Sequence, residues 1–509
     1  MRFSISNLLK EYIGPIKLTK LNLIYLFIII TWMSLCLSIN TKPGEMYQIF
    51  DSSMKLINGL RFIIPIIMVT ISLLTLIVLI FYKKIKNTSV ILILFFLYFV
   101  SQILGLISTP SRDFTLENTY LIIFALGTLS VLILLDSYQS KKISYTIITL
   151  TFFIFTFAYF LIIFYSPELF IIAIQDGSLY NLFNINQDHF GQPSPRITGA
   201  TRIFGIFALF CIILFFIKKK NNKINYLFYT LIILSSLFVW LGQSRGSLLC
   251  YYATLFFLIF FLNDLSFLKR IILIISIPVI SISMSNILLN NSKKIVEVYI
   301  EISDENAVVA EIVKKKMKQN EKDKKIFEES LKNSDVSLVN KESDLIGVTG
   351  VTGLRVLDNK TSSGRFQLWE LSLKKYKKNK IFGYGPQGDR YLLYNSEIEH
   401  LWSTNSSNLL IYGFLSGGYV GFIILILIYF YIFVLMLKFF IVNKIYLLKY
   451  KVTKNNIFYI LSITTTIFFL IRSLFENSYG LFSIDFLFMI VSLYIFELNH
   501  RKNKYKSYL

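Results

Sequence analysis

About twelve apolar stretches, each long enough to cross a bilayer, follow one another along this chain. One polar segment, roughly residues 291–406, interrupts them between the ninth and the tenth. A hydrocarbon core about 30 Å thick is spanned by roughly 20 residues of α-helix. Inside it every backbone amide must find its partner within the segment, so stretches of this length are helices. With 55% hydrophobic and only 16% charged residues, the chain has too little polar sequence to cover a soluble fold of this size. The expected fold class is therefore an all-α polytopic membrane protein, with about 12 transmembrane helices and a large external loop between helices 9 and 10. Its parts are residues 1–290 with helices 1–9, the loop 291–406, and residues 407–509 with helices 10–12 and a tail.

The stretches used below are Ser89–Ile107, Ile203–Ile217, Ile224–Leu241, Ser247–Leu262, Ile271–Leu289, Ser407–Phe430, Ile457–Ser473 and Phe482–Glu497. The first stretch, Leu21–Ile39, follows Lys10, Lys17 and Lys20 and lacks a small-residue cleavage site, so it reads as a retained anchor.

A net charge of +22 could suggest nucleic acid, but the lysines sort by position. Clusters at Lys83–Lys86, Lys141–Lys142, Lys218–Lys223, Lys269–Arg270, Lys444–Lys454 and Arg501–Lys506 occupy alternate connections. That is the pattern of cytoplasmic loops. It places both termini in the cytoplasm, requires an even number of crossings, and turns the insert outward together with residues 165–202, 243–246 and 474–481. The partner it implies is the lipid bilayer, not nucleic acid. Cys36, Cys211 and Cys250 all fall inside apolar stretches and offer neither a disulfide framework nor a metal cluster.

Within the insert, Lys293–Lys332 is dense in Lys and Glu and reads as one or two solvated helices. Ser363-Gly-Arg-Phe-Gln-Leu-Trp-Glu370 has the spacing of an amphipathic helix, with Phe366, Trp369 and Leu373 on one face. Gly383-Tyr-Gly-Pro-Gln-Gly388 reads as a turn. No strand precedes it and no Gly-Lys-Ser/Thr follows, so it is not a phosphate loop.

Two classes fit this layout: a transporter, or an embedded transferase acting on a lipid-linked substrate. Transporters place charges or matched pairs of broken helices near the membrane midplane. Here the span interiors are mostly uncharged, no matched pair is evident, and the charges gather at span ends. On the outward side stand Arg196, Arg202, Arg245, Arg355, Arg365, Arg390 and Arg472. A guanidinium binds phosphate oxygens through a planar fork and keeps its proton, and a departing diphosphate needs such fixed cations. The competing reading of each is an arginine that snorkels to the membrane surface. Arg245 escapes it, because Leu241-Gly-Gln-Ser-Arg-Gly-Ser247 is a short hairpin held between two spans. Arg472 has Glu476 at i+4 as a candidate partner.

A transferase also needs a proton acceptor. His400 stands about ten residues before helix 10, with Asp389, Glu397 and Glu399 as competing bases. Asp485, just inside helix 12, is either a boundary residue or part of the site. No metal-binding pattern appears on this side, which points to metal-independent chemistry without a cofactor.

Several segments resemble the O-antigen ligase and polymerase superfamily of bacterial membrane glycosyltransferases. They are Pro195-Arg-Ile-Thr-Gly-Ala-Thr-Arg202, Gln243-Ser-Arg-Gly-Ser247, Ser363-Gly-Arg-Phe-Gln-Leu-Trp369, Ile381-Phe-Gly-Tyr-Gly385, Asn408-Leu-Leu-Ile-Tyr-Gly413 and Gly418-Tyr-Val-Gly421. The resemblance covers roughly residues 195–425. It implies inverting transfer of a glycan from undecaprenyl diphosphate, at the periplasmic face of the inner membrane, to a second lipid-linked unit or to a lipid A core. Its partners are then the lipid-linked glycan donor and a glycan acceptor, and a protein regulating chain length is compatible with it. Arg245 and Arg365 match family arginines that contact the diphosphate, and Asn408 matches the asparagine of a His-Asn pair. Ser407 occupies the histidine position, a departure that favours a polymerase over a ligase. The expected catalytic residues are Arg245, Arg365 and His400; the expected substrate-binding residues are Arg196, Arg202, Asn408 and Arg472.

Overall fold

The computed structural model describes residues 89–109, 197–216, 222–241, 245–261, 265–291, 365–376, 380–394 (except 387), 408–443 and 456–475, then 484–506, with shorter pieces in 63–77 and 122–130 and single positions at 156, 445 and 452–453. All described elements are helical. In chain order the long ones are α1 (Val90–Leu106), α2 (Ile197–Phe216), α3 (Asn222–Leu241), α4 (Arg245–Phe261) and α5 (Phe267–Asn290). They continue with α6 (Arg365–Lys375), α7 (Gly388–Tyr394), α8 (Leu409–Val442), α9 (Ile457–Ser473) and α10 (Ile484–Lys506). Most begin and end within a few residues of the expected segments, but α2 begins at Ile197 and not Ile203, α8 runs on past Phe430 to Val442, and α10 runs on past Glu497 to Lys506. Phe267–Ile287 and Leu409–Val442 are long and apolar enough to cross a membrane; α1 and α9 are apolar but shorter. The count of about 12 crossings and the 291–364 part of the insert fall largely outside the described residues.

Helices α9 and α10 form the centre of the bundle. Ile457 to Phe469 and Phe486 to Phe496 are buried almost without interruption, as expected of helices enclosed by others. α4 and α2 pack on α9, and Phe204 of α2 stacks on Phe238 of α3 with centroids 4.9 Å apart. α1 lies in the angle between α8 and α10, its Phe95 and Phe99 meeting Phe486 edge-on at 5.8 and 5.5 Å. The outward faces of α5 and α8 carry Ile272, Ile275 and Val279, and Ile423, Ile426, Phe430 and Phe433. Apolar stripes of this extent on the rim suit a hydrocarbon surrounding.

The foot of α1 is held by an acid from the far end of the chain. Glu497, wholly buried on α10, accepts from the backbone amides of Val90 (2.9 Å) and Ile91 (3.3 Å), the Ser89 hydroxyl and Tyr431 Oη (3.1 Å). A buried carboxylate at a helix N-terminus meets both the unpaired amides and the positive end of the helix dipole.

The largest departure from the sequence reading is in α8. Ser407–Phe430 was expected to be one continuous crossing. The helix instead breaks at Gly418, which has φ +63° and ψ −157°. Its two legs fold against each other: a methyl at Gly413 would collide with Leu425, and one at Gly421 would lie 3.1 Å from the Gly413 carbonyl. Twelve residues of straight helix would put Gly413 and Leu425 about 18 Å apart. Leg one is therefore 409–417 and leg two 419–442, the latter about 35 Å long at 1.5 Å per residue. The groups freed by the break are taken up by the 380–385 turn. Tyr384 and Gly385 amides donate to Leu415 and Ser416 carbonyls (3.0 and 2.8 Å); Tyr419 and Val420 amides donate to Lys380 and Ile381 carbonyls (2.9 and 3.2 Å). Irregular backbone survives in an apolar setting only with such replacement bonds. The turn itself needs left-handed residues, which Gly383 (φ +71°) and Gly385 (φ +83°) supply.

Candidate active site

The first residue of leg one is capped by Asn408, whose Oδ1 accepts from the Leu410 (2.9 Å) and Ile411 (3.1 Å) amides. Asparagine suits an N-cap because its short side chain reaches those orphan amides. Its Nδ2 reaches the other way, to the Leu474 carbonyl at 3.0 Å. The start of α8 is thereby fixed at the C-terminal end of α9, two residues beyond Arg472.

Arg472 lies at the middle of a buried charge cluster. Its Nε is 3.2 Å from Asp485 Oδ2, and its Nη1 donates to Ser247 Oγ at 3.3 Å. Arg202 Nη1 forms an ion pair with the same carboxylate oxygen. The side chains of Asp485 and Arg472 are 5% exposed and that of Arg202 13%. Three helices, α2, α9 and α10, thus meet on one carboxylate, α4 joins them through Ser247 and Arg472, and the three side chains carry one more formal positive charge than negative. Asp485 sits in the first turn of α10, where the helix dipole also favours a negative charge. The structure pairs Arg472 with Asp485; Glu476, the partner offered by helical spacing, lies outside the described residues.

Sequence reasoning placed Arg202, Arg472 and Asn408 at one site, and the structure brings the three together. Arg245 opens α4, two residues before Ser247, and Gly246 passes Phe475 so closely that a methyl there would lie 3.9 Å from its Cβ. The backbone of Arg245 accordingly borders the cluster. Arg365 opens α6, which packs on α7 and on leg one of α8. The side chains of Arg245 and Arg365, and Arg196 and His400 entirely, lie outside the described residues.

α6 forms where the spacing predicts a helix, but its faces differ from expectation. Ser372 and Tyr376 are buried, whereas Leu373 is 46% exposed. The buried side meets an aromatic cluster, with Tyr376 against Phe414 at 4.6 Å and against Tyr384 at 5.8 Å. Burial, reinforced by the Tyr384 and Tyr419 phenols, pushes the Tyr376 hydroxyl far up, so it stays protonated. On the solvent side Lys374 pairs with Glu370 at 2.6 Å and lowers its carboxyl pKa by hydrogen bond and charge.

Several polar residues here carried no motif and were missed in the sequence. Ser247 was read only as part of a hairpin. Tyr429 and Ser473 join hydroxyl to hydroxyl beside Arg472. Gln102 and Tyr98 of α1 are fully buried near leg one. An amide in mid-stretch at Gln102 was the available signal, since polar groups inside apolar helices are costly unless used.

A bundle of apolar helices with a buried arginine–carboxylate–arginine cluster at their ends, beside a broken helix, defines a helical protein of the membrane-embedded kind. Residues 230–426 match the family described as O-antigen ligase, which supports the resemblance of this segment to the O-antigen ligase and polymerase superfamily. The match contains Arg245, Arg365, His400 and Asn408; Arg196, Arg202 and Arg472 lie outside it. No curated protein and no solved structure matches the chain.

Proposed function

We propose that this protein is an inner-membrane glycosyltransferase that polymerises undecaprenyl-diphosphate-linked repeat units into O-antigen or a related surface polysaccharide. The supporting observation is the cluster of Arg202, Arg472 and Asp485, closed by Ser247 and bordered by the backbone of Arg245. Fixed guanidinium groups in a site shielded from water are suited to stabilise negative charge as it develops on a departing diphosphate. In the proposed reaction an acceptor hydroxyl oxygen bonds to the anomeric carbon of the donor sugar. The bond from that carbon to the diphosphate oxygen breaks, the lipid diphosphate departs with the electron pair, and configuration inverts. The hydroxyl proton passes to a base, His400 or a nearby carboxylate. Arg245, Arg365, Arg196 and Asn408 complete the donor site, which faces the periplasm in the twelve-crossing arrangement with cytoplasmic termini.

Two observations keep other readings in play. The matched family is described as a ligase, which would pass the glycan to a lipid A core. The break at Gly418 is of the kind transporters use, and removes part of the sequence argument against a lipid-linked glycan exporter. Purified protein in nanodiscs with a synthetic lipid-linked repeat unit separates the three. A polymerase yields a ladder from repeat units alone, a ligase yields product only when a core acceptor is added, and an exporter makes no glycosidic bond.

A further inference from the structure

We propose that Thr109, just past the C-terminal end of α1, is a positioning residue: its hydroxyl holds the 380–385 turn in the break of α8 and thereby sets where α6, which begins at Arg365, stands on leg one. The inference rests on the transferase reading above and adds to it a residue that acts through α6 and not on the substrate.

One face of α1 forms the seat of the break. Ser101, Gly105 and Thr109 follow one another at a spacing of four, which stacks them along one side of a helix. A methyl at Gly417 or Gly421 would come within 2.9 or 3.0 Å of Ser101 Oγ. One at Gly105 would lie 2.5 Å from the Gly385 nitrogen and 2.7 Å from the carbonyl oxygens of Phe382 and Ser416. The backbones of α1, the turn and α8 therefore meet at Gly105 with no side chain between them. Thr109 closes this seat, its Oγ1 donating to the Tyr384 carbonyl at 2.5 Å. Threonines inside helices ordinarily bond the carbonyl four residues back, as Thr254 (2.7 Å), Thr465 (2.8 Å) and Thr466 (2.7 Å) do here. For Thr109 that carbonyl, of Gly105, is 3.5 Å away. A hydroxyl has one proton to give, and the shorter contact crosses to the turn.

Tyr384 is where the turn is joined to its surroundings. Its amide donates to the Leu415 carbonyl at 3.0 Å, and its ring stands 5.8 Å from that of Tyr376, just after α6, and 5.9 Å from that of Tyr391 in α7. The Tyr376 ring also lies 4.6 Å from Phe414 of leg one. With its amide and its ring engaged, Tyr384 keeps one way to rock, and the bond from Thr109 to its carbonyl removes it. α6 is a single helix of 11 residues, so a shift at its Tyr376 end is carried to Arg365. Leg one is tied at its other end by Asn408 to Leu474, two residues beyond Arg472. Displacement of a positioning element by about 1 Å can cost on the order of 10²-fold in rate.

The test uses the full-length protein in nanodiscs with a synthetic lipid-linked repeat unit. Thr109 is half-buried, so Thr109→Val keeps its shape and removes only the hydroxyl, whereas Thr109→Ser keeps the hydroxyl. In Thr109→Val, hydrogen exchange at the four docking amides, Tyr384, Gly385, Tyr419 and Val420, should rise by about two- to tenfold, as for one lost hydrogen bond. Amides of α9 should keep their wild-type rates. Glycan transfer per molecule should fall by at least the same factor, and Thr109→Ser should restore both readings. Positioning is separated from general weakening by repeating Thr109→Val on Arg365→Ala, or on Arg365→Lys where Arg365→Ala is too slow to follow. The loss should then be smaller than in the wild-type background, because the two residues act through one helix. Unchanged exchange at the four amides, faster exchange with wild-type transfer, or an equal loss in both backgrounds would overturn the proposal. A wild-type protein that forms no glycosidic bond would instead overturn the transferase reading, while the exchange rates still decide whether the hydroxyl holds the turn.

Discussion

Nε of Arg472 lies 3.2 Å from Oδ2 of Asp485, and the two residues belong to consecutive helices, α9 and α10. The contact closes that helical hairpin at its charged end and lets one carboxylate hold Arg472 and Arg202 together. Its geometry sets the first two expectations below.

Replacing Asp485 by Asn leaves two buried guanidiniums without their shared counter-charge. Removing one partner of a buried pair costs about 3–5 kcal/mol. Thermal unfolding in detergent should show a clear drop in midpoint, largest in low-phosphate buffer, where no other anion can take the carboxylate's place. An unchanged midpoint in both buffers would contradict the cluster's structural weight.

Arg472→Lys keeps the charge but cannot bond Asp485 and Ser247 at once, because an ammonium has no planar fork. Glycan transfer should fall by more than tenfold while protein level holds. Ser247→Ala should have a smaller effect, about tenfold, as expected for one hydrogen bond to a charged group worth roughly 1.5 kcal/mol. Equal activity in Arg472→Lys and wild type would remove Arg472 from the site.

Gly418→Ala asks a left-handed residue to carry a side chain, at about 1–2 kcal/mol from the backbone alone, and drives that methyl into the Ile381 carbonyl. The 380–385 turn should come loose from α8. Limited proteolysis would then cut near Lys380 faster in the variant; an identical cleavage pattern would mean the docking is not held by this break.

Glu497→Gln removes the charge that caps α1. Hydrogen exchange at Val90 and Ile91 should speed up by about tenfold, consistent with weakening charge-assisted bonds by roughly 1.5 kcal/mol. Amides of α9 should be unaffected, and equal acceleration throughout would indicate general unfolding instead.

The parts of this fold that were legible in the sequence are those governed by local composition. Apolar length marks α1, α3, α5 and α9, and Gly383 and Gly385 mark a turn because their positive φ has a residue-type signature. Charge scarcity made Arg202, Arg472 and Asp485 conspicuous. Long-range pairing was not legible: nothing local to Arg472 points to Asp485, which only the packing of α9 on α10 brings to it. The fold in α8 was hidden for a related reason. Gly417-Gly418 sits in an unbroken apolar run, and the bond partners that make a break tolerable belong to a turn more than thirty residues upstream.

The folded-back shape of α8 bears on how crossings are counted. Leg one returns toward the end from which leg two departs, so a 34-residue apolar helix contributes one passage, not a passage and a half. The odd–even tally that puts both chain ends in the same compartment is left intact by it. What changes is placement: Asn408, written in the sequence as the lip of a span, begins a short helix folded back on the crossing and sits beside the C-terminal end of α9.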